Sequence, residues 1–219
     1  EQLAETAGLC TTASVEQITE SKPGRNWTII GDPLNGALLI AALKYGLDIK
    51  GAREEKPVSH LIPFDSERKR AASVHKFRGK HLVYVKGAPY DLFPACTKVL
   101  EADGSLEDFT SEYRAYAGKI YKDFAREGLR IIGCAYRELQ SETFSPGQNV
   151  EHDLIFAGLS AIPDPPRSDV KEAIRIAKQA GIEVVVITGD SAFTTVAIAS
   201  EVGIITPGDN RMLRGVDVS

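Results

Sequence analysis

Three short β-type runs in close succession, the last two joined by a tight turn, constrain this chain more than any other feature of its sequence. They are Val58–Phe64, Ala71–Phe77 and His81–Lys86, and the turn Arg78–Lys80 joins the last two. Connections this short can join only antiparallel neighbours, because a parallel pair needs a long crossover. Residues 58–86 therefore predict an antiparallel sheet.

Helical patterns lie on both sides of this predicted sheet. Apolar residues recur at helical spacing in Asn35–Tyr45, and Glu112–Glu127 is amphipathic with Gly128 as its expected C-cap. We also expect a helix over Tyr90–Val99 and a further strand over Leu129–Arg137. The fold class predicted for this part is α+β, an antiparallel β-sheet flanked by helices.

The pattern of predicted elements changes after a polar loop at residues 141–152. An apolar strand, a helix, a nearly continuous Val/Ile strand and a second helix follow one another, at Leu154–Ala161, Ser168–Ala180, Glu183–Ile187 and Ser191–Val202. This order predicts a parallel, Rossmann-like βαβα segment. Because the segment is too short for a doubly wound domain, we expect one domain at 1–150 and part of a second at 151–219.

Basic residues concentrate beside the predicted sheet. The chain carries a net charge of −4, which argues against a general nucleic-acid binder. Residues 60–90 nevertheless hold seven lysines and arginines against two acids. A basic patch on an acidic protein suits a compact anionic ligand. The alternative is that some of these side chains only solvate an exposed strand face.

Cysteine and histidine usage predicts neither disulfides nor a metal site. Cys10, Cys96 and Cys134 are odd in number and widely spaced, which is typical of a reduced compartment. The four histidines have no metal-ligand spacing with cysteine or acidic residues.

A short polar segment follows the Val/Ile strand at its carboxyl end. Thr188, Gly189 and Asp190 stand between this strand and the next helix, where open α/β sheets bind their ligands. A hydroxyl, free backbone amides and a helix N-terminus suit a phosphate oxygen, so these three residues are candidate phosphate ligands. The alternative is that Asp190 or Ser191 only caps the helix.

Several short motifs occur in order along the chain. They are Gly31–Pro33, Gly36–Leu38, Phe64–Arg70, Lys86–Pro89, Gly128–Arg130, Asp164–Arg167 and Thr188–Asp190. Each is weak alone, but the ordered set spans most of the chain. The set resembles the cytoplasmic ATP-binding region of cation-transporting P-type ATPases, and it is closest to the calcium-pump-like branch.

The resemblance implies a nucleotide site in the first domain. Phe64 would stack on the adenine ring, and Lys86, beside Gly87, would line the adenine pocket or reach a phosphate. Lys69 and Arg130 would add positive charge toward the phosphate chain. Asn35 stands where this branch usually has Glu, so it would keep a hydrogen bond to the base without the charge.

The resemblance also implies roles for the second domain. Asp164, Pro165, Pro166 and Arg167 would form the hinge between a nucleotide-binding domain and a phosphorylation domain of haloacid-dehalogenase-like fold. Thr188, Gly189 and Asp190 would hold the transferred phosphoryl group near an aspartate nucleophile. That aspartate's segment, Asp-Lys-Thr-Gly-Thr, does not occur in this sequence, so we expect no catalytic residue in this chain and no activity from it alone.

The expected ligands and partners follow from the same resemblance. ATP or ADP would bind, with Mg²⁺ in the intact pump, and the partners would be the actuator domain, the rest of the phosphorylation domain and the membrane helices. We expect the chain to be soluble itself, a cytoplasmic part of an integral membrane protein, without direct membrane insertion. Two alternatives stay open: a stand-alone haloacid-dehalogenase-like phosphatase and a non-enzymatic nucleotide-binding module.

Overall fold

A computed structural model describes residues 1–17, 27–139, 144–188, 191–206 and 213. The chain separates into two compact units, each built from two stretches of sequence. The first unit holds Glu1–Gly118 and Ile132–Ser160, and the second holds Lys119–Ile131 and Ala161–Ser219.

Helices and strands alternate irregularly along the described residues. The helices are α1 Gln2–Leu9, α2 Pro33–Lys44, α3 Ile49–Glu55, α4 Pro89–Leu92, α5 Ser111–Arg126, α6 Val170–Gln179 and α7 Ala192–Glu201, with a 3-10 turn at Phe93–Ala95. The strands are β1 Ser14–Gln17, β2 Trp27–Ile30, β3 Val58–Asp65, β4 Arg70–Phe77, β5 Lys80–Gly87, β6 Cys96–Leu100, β7 Leu106–Asp108, β8 Leu129–Leu139 and β9 Leu154–Pro163.

Seven of these strands form one sheet, in the order β3-β4-β5-β8-β9-β6-β7. The predicted antiparallel run is confirmed, because β3, β4, β5 and β8 pair antiparallel in that order. The β4–β5 hairpin closes through Arg78 and Gly79, whose φ angles of 49° and 78° are those of a tight hairpin turn. β6 and β9 pair parallel, and the α+β class predicted from the sequence is confirmed.

The two faces of this sheet are buried for different reasons. Val74, Val83 and Val85 share one face and pack with Leu92 and Phe93 in the main apolar core. The alternate positions of the same strands place a polar layer on the other face. α1 covers part of that layer, where Leu9 and Cys10 pack against Tyr84. This polar layer contains buried polar and charged side chains, including Glu5, His75 and Lys86.

A connected group of buried polar side chains occupies the layer beneath α1. The hydroxyl of Tyr84 and the ammonium of Lys56 both donate to the carboxylate of Glu5, the latter at 2.5 Å. Nδ1 of His75 lies 2.8 Å from the carbonyl of Lys56, and Nε2 lies 2.8 Å from the hydroxyl of Ser73. Because a carbonyl oxygen only accepts, Nδ1 carries the proton of neutral His75 and Nε2 accepts from Ser73.

The burial of His75 predicts how stability depends on pH. Burial lowers the pKa of His75 below its ordinary 6.5, although the Lys56 carbonyl and Glu5 act in the opposite direction. The unfolded chain therefore binds a proton at higher pH than the folded chain does. Stability should fall as the pH drops below about 6.5, by about 1.4 kcal/mol for each unit by which the pKa is lowered.

Urea unfolding at a series of pH values measures this dependence. The variant His75→Gln should lose the pH-dependent part between about pH 5 and 7. The matched variant His152→Gln changes an exposed histidine and should keep it. An equal slope in all three proteins would contradict the assignment to His75.

Two predicted elements differ in the structure. Tyr90–Val99 is not one helix: α4 and the 3-10 turn occupy its first part and β6 begins at Cys96. Pro94 is the reason, since proline inside a helix removes a backbone donor and clashes with the preceding turn. Glu183–Ile187 forms no strand among the described residues, and the side chain of Ile187 is 95% exposed.

The parallel βαβα segment is therefore not formed as a unit in the part of the chain that the structure describes. Its first strand belongs to the seven-stranded sheet as β9. Its two helices do form, and Gly181 and Gly203 follow them with φ of 76° and 79°. A strand needs a hydrogen-bonded neighbour, which propensity alone does not supply. The boundary between 1–150 and 151–219 stays a prediction.

Candidate functional site

The strand register of the first unit gathers most of the predicted site at one end of the sheet. Asp65 of β3 pairs with Arg70 of β4, and Arg70 pairs with Gly87 of β5. Neighbouring strands lie about 4.8 Å apart, so Asp65 and Gly87 are separated by about two strand spacings. Phe64 comes immediately before Asp65. Lys86 precedes Gly87 and faces the polar layer.

Lys86 is the most unusual charged group at this end. It is only 7% exposed, and burial lowers the pKa of its ammonium, while Cys10, Cys134 and Asp32 act in the opposite direction. Its Nζ donates a hydrogen bond to the amide oxygen of Asn35. An ammonium has three donors, and among the described residues Asn35 is the acceptor found for one of them, so Lys86 can also donate to an anionic or polar ligand.

The N-terminus of α2 presents Asn35 to this lysine. Asp32 caps the helix, because its carboxylate accepts a hydrogen bond from the backbone amide of Asn35 at 2.8 Å. Pro33 occupies the first helical position, where no amide is needed. Gly36 allows the helix to approach Ile29, because a Cβ on residue 36 would lie only 2.3 Å from the Ile29 side chain. The helix predicted from the apolar spacing of Asn35–Tyr45 is confirmed, and it begins at Pro33.

Phe64 lies at the end of β3 with its side chain in solvent. Its exposed fraction is 64%, so Phe64 is not part of the hydrophobic core. An exposed aromatic ring can stack on a flat base, while a buried cation at the same end of the sheet can bind a polar edge or an anion.

Lys69 lies in the turn between β3 and β4 and already has an acidic neighbour. Its Nζ is 3.5 Å from a carboxylate oxygen of Asp91, and its backbone has a φ of 51°, in the left-handed region. Its carbonyl accepts a hydrogen bond from Ala88 at 3.0 Å. The ammonium is more than half exposed, so a phosphate can compete with Asp91 for it.

Gly87 allows β4 and β5 to approach each other closely. A Cβ at this position would lie 2.5 Å from the carbonyl oxygen of Lys69 and 2.5 Å from the Cβ of Arg70. The glycine predicted as a ligand-binding residue is thus required by the close approach of β4 to β5.

Much of the basic window seen in the sequence is paired within the protein. Five of its seven cations lie within 4 Å of a carboxylate: Arg68, Lys69, Arg70, Arg78 and Lys80. Arg68 and Arg70 share Glu151, a buried acid that the sequence analysis missed. No local pattern marks Glu151, since its partners lie 83 and 81 residues away.

The remaining predicted residues belong to the second unit or lie outside the described residues. Arg130, near the start of β8, and Thr188 are exposed, and both have interactions within the structure. Gly189 and Asp190 lie outside the described residues. Residues Asp164, Pro165, Pro166 and Arg167 form an irregular connection between β9 and α6. Their roles as phosphate ligands and hinge stay predictions.

The described ranges contain neither a metal-binding cluster nor a membrane-spanning helix. No group of three or more histidine, cysteine or acidic side chains there could hold a metal ion. Across the same ranges, no helix is both long enough and apolar enough to span a bilayer.

Comparison with known proteins gives a consistent result. The family model for the cytoplasmic domain N of P-type ATPases matches residues 1–169. A protein named calcium-transporting ATPase 1 from Lactococcus lactis is 37% identical over 181 residues, which are 83% of this chain and 20% of that protein. A cation-transporting ATPase, pma1, from Synechocystis is 35% identical over 193 residues, 88% of this chain and 21% of that protein.

A third relative extends the match nearly to both ends of the chain. The calcium-transporting ATPase of Bacillus subtilis is 33% identical over 208 residues, 94% of this chain and 23% of that protein. The chain spans about a fifth of the length of the curated relatives it matches.

Proposed function

This chain belongs to the P-type ATPase family through its cytoplasmic domain N, and from that premise we propose that it binds ATP at the end of the sheet formed by Phe64, Lys69, Lys86 and Asn35. The observation that carries the proposal is the buried ammonium of Lys86, held by Asn35 at the same end of the sheet as the exposed ring of Phe64. The donor set fits a nucleotide, which has a flat base and a polyanionic tail.

Each residue would make a different contribution to the bound nucleotide. Phe64 would stack on the adenine, Lys86 would donate to the base edge or to a phosphate, and Asn35 would orient Lys86. Lys69 would release the carboxylate of Asp91 and bind a phosphate oxygen of the nucleotide. A phosphate can replace a carboxylate here because both accept charge-assisted hydrogen bonds from an ammonium. The roles expected for Arg130 and for the Thr188–Asp190 segment rest on the family resemblance alone and are no part of this site.

In the intact pump, the nucleotide would be a donor for phosphoryl transfer. A carboxylate nucleophile elsewhere in the protein would attack the γ-phosphate, with Mg²⁺ neutralising the developing charge. This chain would supply binding and orientation of ATP, and the remainder of the pump would supply the nucleophile and the ion pathway. The transported cation would be calcium or another cation of the kinds that the relatives' names state.

Titration with ATP, followed by backbone amide chemical shifts, tests the binding site. We expect saturable shifts centred on Phe64, Lys69 and Lys86. The variant Phe64→Ala should bind ATP about tenfold more weakly, because stacking on one base contributes roughly 1–3 kcal/mol. Its matched control is Tyr116→Ala, which removes an equally exposed aromatic ring, also 64%, from α5.

The outcomes separate the proposal from its alternatives. Equal loss of affinity in both variants, or saturable shifts centred elsewhere, would contradict the assignment to Phe64. Hydrolysis of a phosphate ester by the chain in the presence of Mg²⁺ would favour a stand-alone phosphatase. A third outcome would favour a non-enzymatic module: joining the chain to the rest of its pump leaves ATP affinity unchanged, and no phosphorylated intermediate forms.

A further inference from the structure

Glu151 is a buried acid with two arginine partners. Its side chain is 6% exposed, and Nη1 of Arg68 lies 2.5 Å from each of its two carboxylate oxygens. Nε of Arg70 donates to the same carboxylate at 3.2 Å. One carboxylate therefore holds the residues immediately before and after Lys69.

Both arginines also donate hydrogen bonds to backbone carbonyls near Lys69. Arg68 donates to the carbonyl of Pro63 at 2.9 Å, and Arg70 donates to the carbonyl of Asp91 at 3.1 Å. Asp91 is the residue whose carboxylate faces the ammonium of Lys69. Glu151 is thus connected to Lys69 in two ways. It binds the arginines on either side of Lys69 in the chain, and through Arg70 it is linked to Asp91, the acidic neighbour of Lys69.

The backbone of Lys69 needs such support. A residue with a side chain and a φ of 51° is in a sparsely populated conformation that persists only when its surroundings impose it. The carboxylate of Asp65 accepts from the amides of Glu67 and Arg68 at 3.0 and 2.8 Å, which shapes the turn. Glu151 attaches that turn to a segment more than 80 residues later in the chain.

We propose that Glu151 is a positioning residue for the nucleotide site: it fixes Arg68 and Arg70 so that the ammonium of Lys69 is directed at the phosphate chain. The proposal rests on the proposed function of Lys69. Buried ion pairs often contribute little net stability compared with apolar replacements, and in some proteins they specify a particular geometry. Glu151 itself would not touch the nucleotide, since its oxygens are occupied by the two arginines.

The first test compares ATP and AMP binding in Glu151→Gln. A misplaced phosphate-binding group should weaken ATP binding about tenfold. AMP lacks the β- and γ-phosphates, so its affinity should stay within about twofold of that of the unaltered chain. The control Glu138→Gln removes the acid of another ion pair of the same sheet, with Lys80, and should leave both affinities unchanged.

A double-mutant cycle with Lys69→Ala distinguishes positioning from a general structural role. If Glu151 acts through Lys69, Glu151→Gln should cause no further loss of ATP affinity once Lys69 is alanine. An additive loss, or an equal loss of AMP affinity, would overturn the proposal. If the unaltered chain binds neither nucleotide, the proposed function itself fails and this inference fails with it.

A second variant covers the case in which Glu151→Gln does not fold. Arg68 is about a third exposed, so Arg68→Gln can direct its new side chain to water while releasing the turn from Glu151. It should reproduce the loss of ATP affinity without loss of AMP affinity. The control Arg78→Gln removes a positive charge from a more exposed arginine in the next turn, and equal losses in these two variants would overturn the proposal.

Discussion

Replacement of Gly87 by alanine should lower the free energy of unfolding by about 3 kcal/mol, at the upper end of the effect of overpacking. The added Cβ would lie 2.5 Å from a backbone oxygen, that of Lys69, and 2.8 Å from the Cα of Arg70. Neither atom belongs to the flexible end of a side chain, so β4 and β5 would have to move apart. Urea unfolding followed by circular dichroism measures the change.

Gly118 provides the matched control for this substitution. A Cβ there would meet the hydroxyl of Tyr90 at 3.0 Å, which also donates to the carbonyl of Gly118 at 3.3 Å; this contact is with the far end of a side chain and not with backbone, so a smaller displacement is needed than at Gly87. Because Gly118 lies inside α5, alanine should be neutral or stabilise the helix by up to about 1 kcal/mol. Equal effects of the two substitutions would mean that the approach of β4 to β5 is less tight than the structure shows.

Replacement of Lys86 by methionine should reduce ATP affinity by about tenfold or more while leaving the protein at least as stable. A hydrogen bond from a charged donor contributes roughly 1.5–3 kcal/mol to binding, and methionine keeps the length of the side chain without the charge. The stability expectation follows from burial, which disfavours the charged form of Lys86 and lowers its pKa. Calorimetric ATP titration and thermal unfolding measure the two effects.

The pH dependence of ATP binding gives an independent check on Lys86. Because the pKa of its ammonium is lowered, the group loses its proton below the ordinary lysine value of about 10.4, and affinity should begin to fall at correspondingly lower pH. The fall should be absent in Lys86→Met. The control Lys76→Met, at an exposed position of β4, should keep both the affinity and its pH dependence. A loss of stability in Lys86→Met would contradict the expected cost of burying this charge.

The antiparallel part of the fold was predictable because its causes are local. Three β-type runs with short connections permit only hairpins, and β3, β4 and β5 follow those runs closely. The ends of α5, α6 and α7 were predictable for the same reason, since Gly128, Gly181 and Gly203 mark them. The strand expected at Glu183–Ile187 did not form, because a strand depends on a neighbour that the local sequence does not specify.

For the candidate site too, some features were predictable from the sequence and others were not. Ordered motifs identified Phe64, Lys69, Lys86 and Gly87, and strand register then placed them at one end of the sheet. The motifs did not indicate that Lys86 would be buried, or that Lys69 would already face Asp91. Both facts depend on elements packed over the sheet, and they change how strongly each cation can bind an anion.

The sequence by itself determined the family, the α+β class and the hairpins, because motifs, short turns and capping residues act over a few positions. Only the tertiary structure decided which charges are paired. Lys86 meets Asn35 across 51 residues and Arg68 meets Glu151 across 83, and no local pattern specifies such partners. The free energy of a charge depends on its burial and its neighbours, which exist only once the chain has folded.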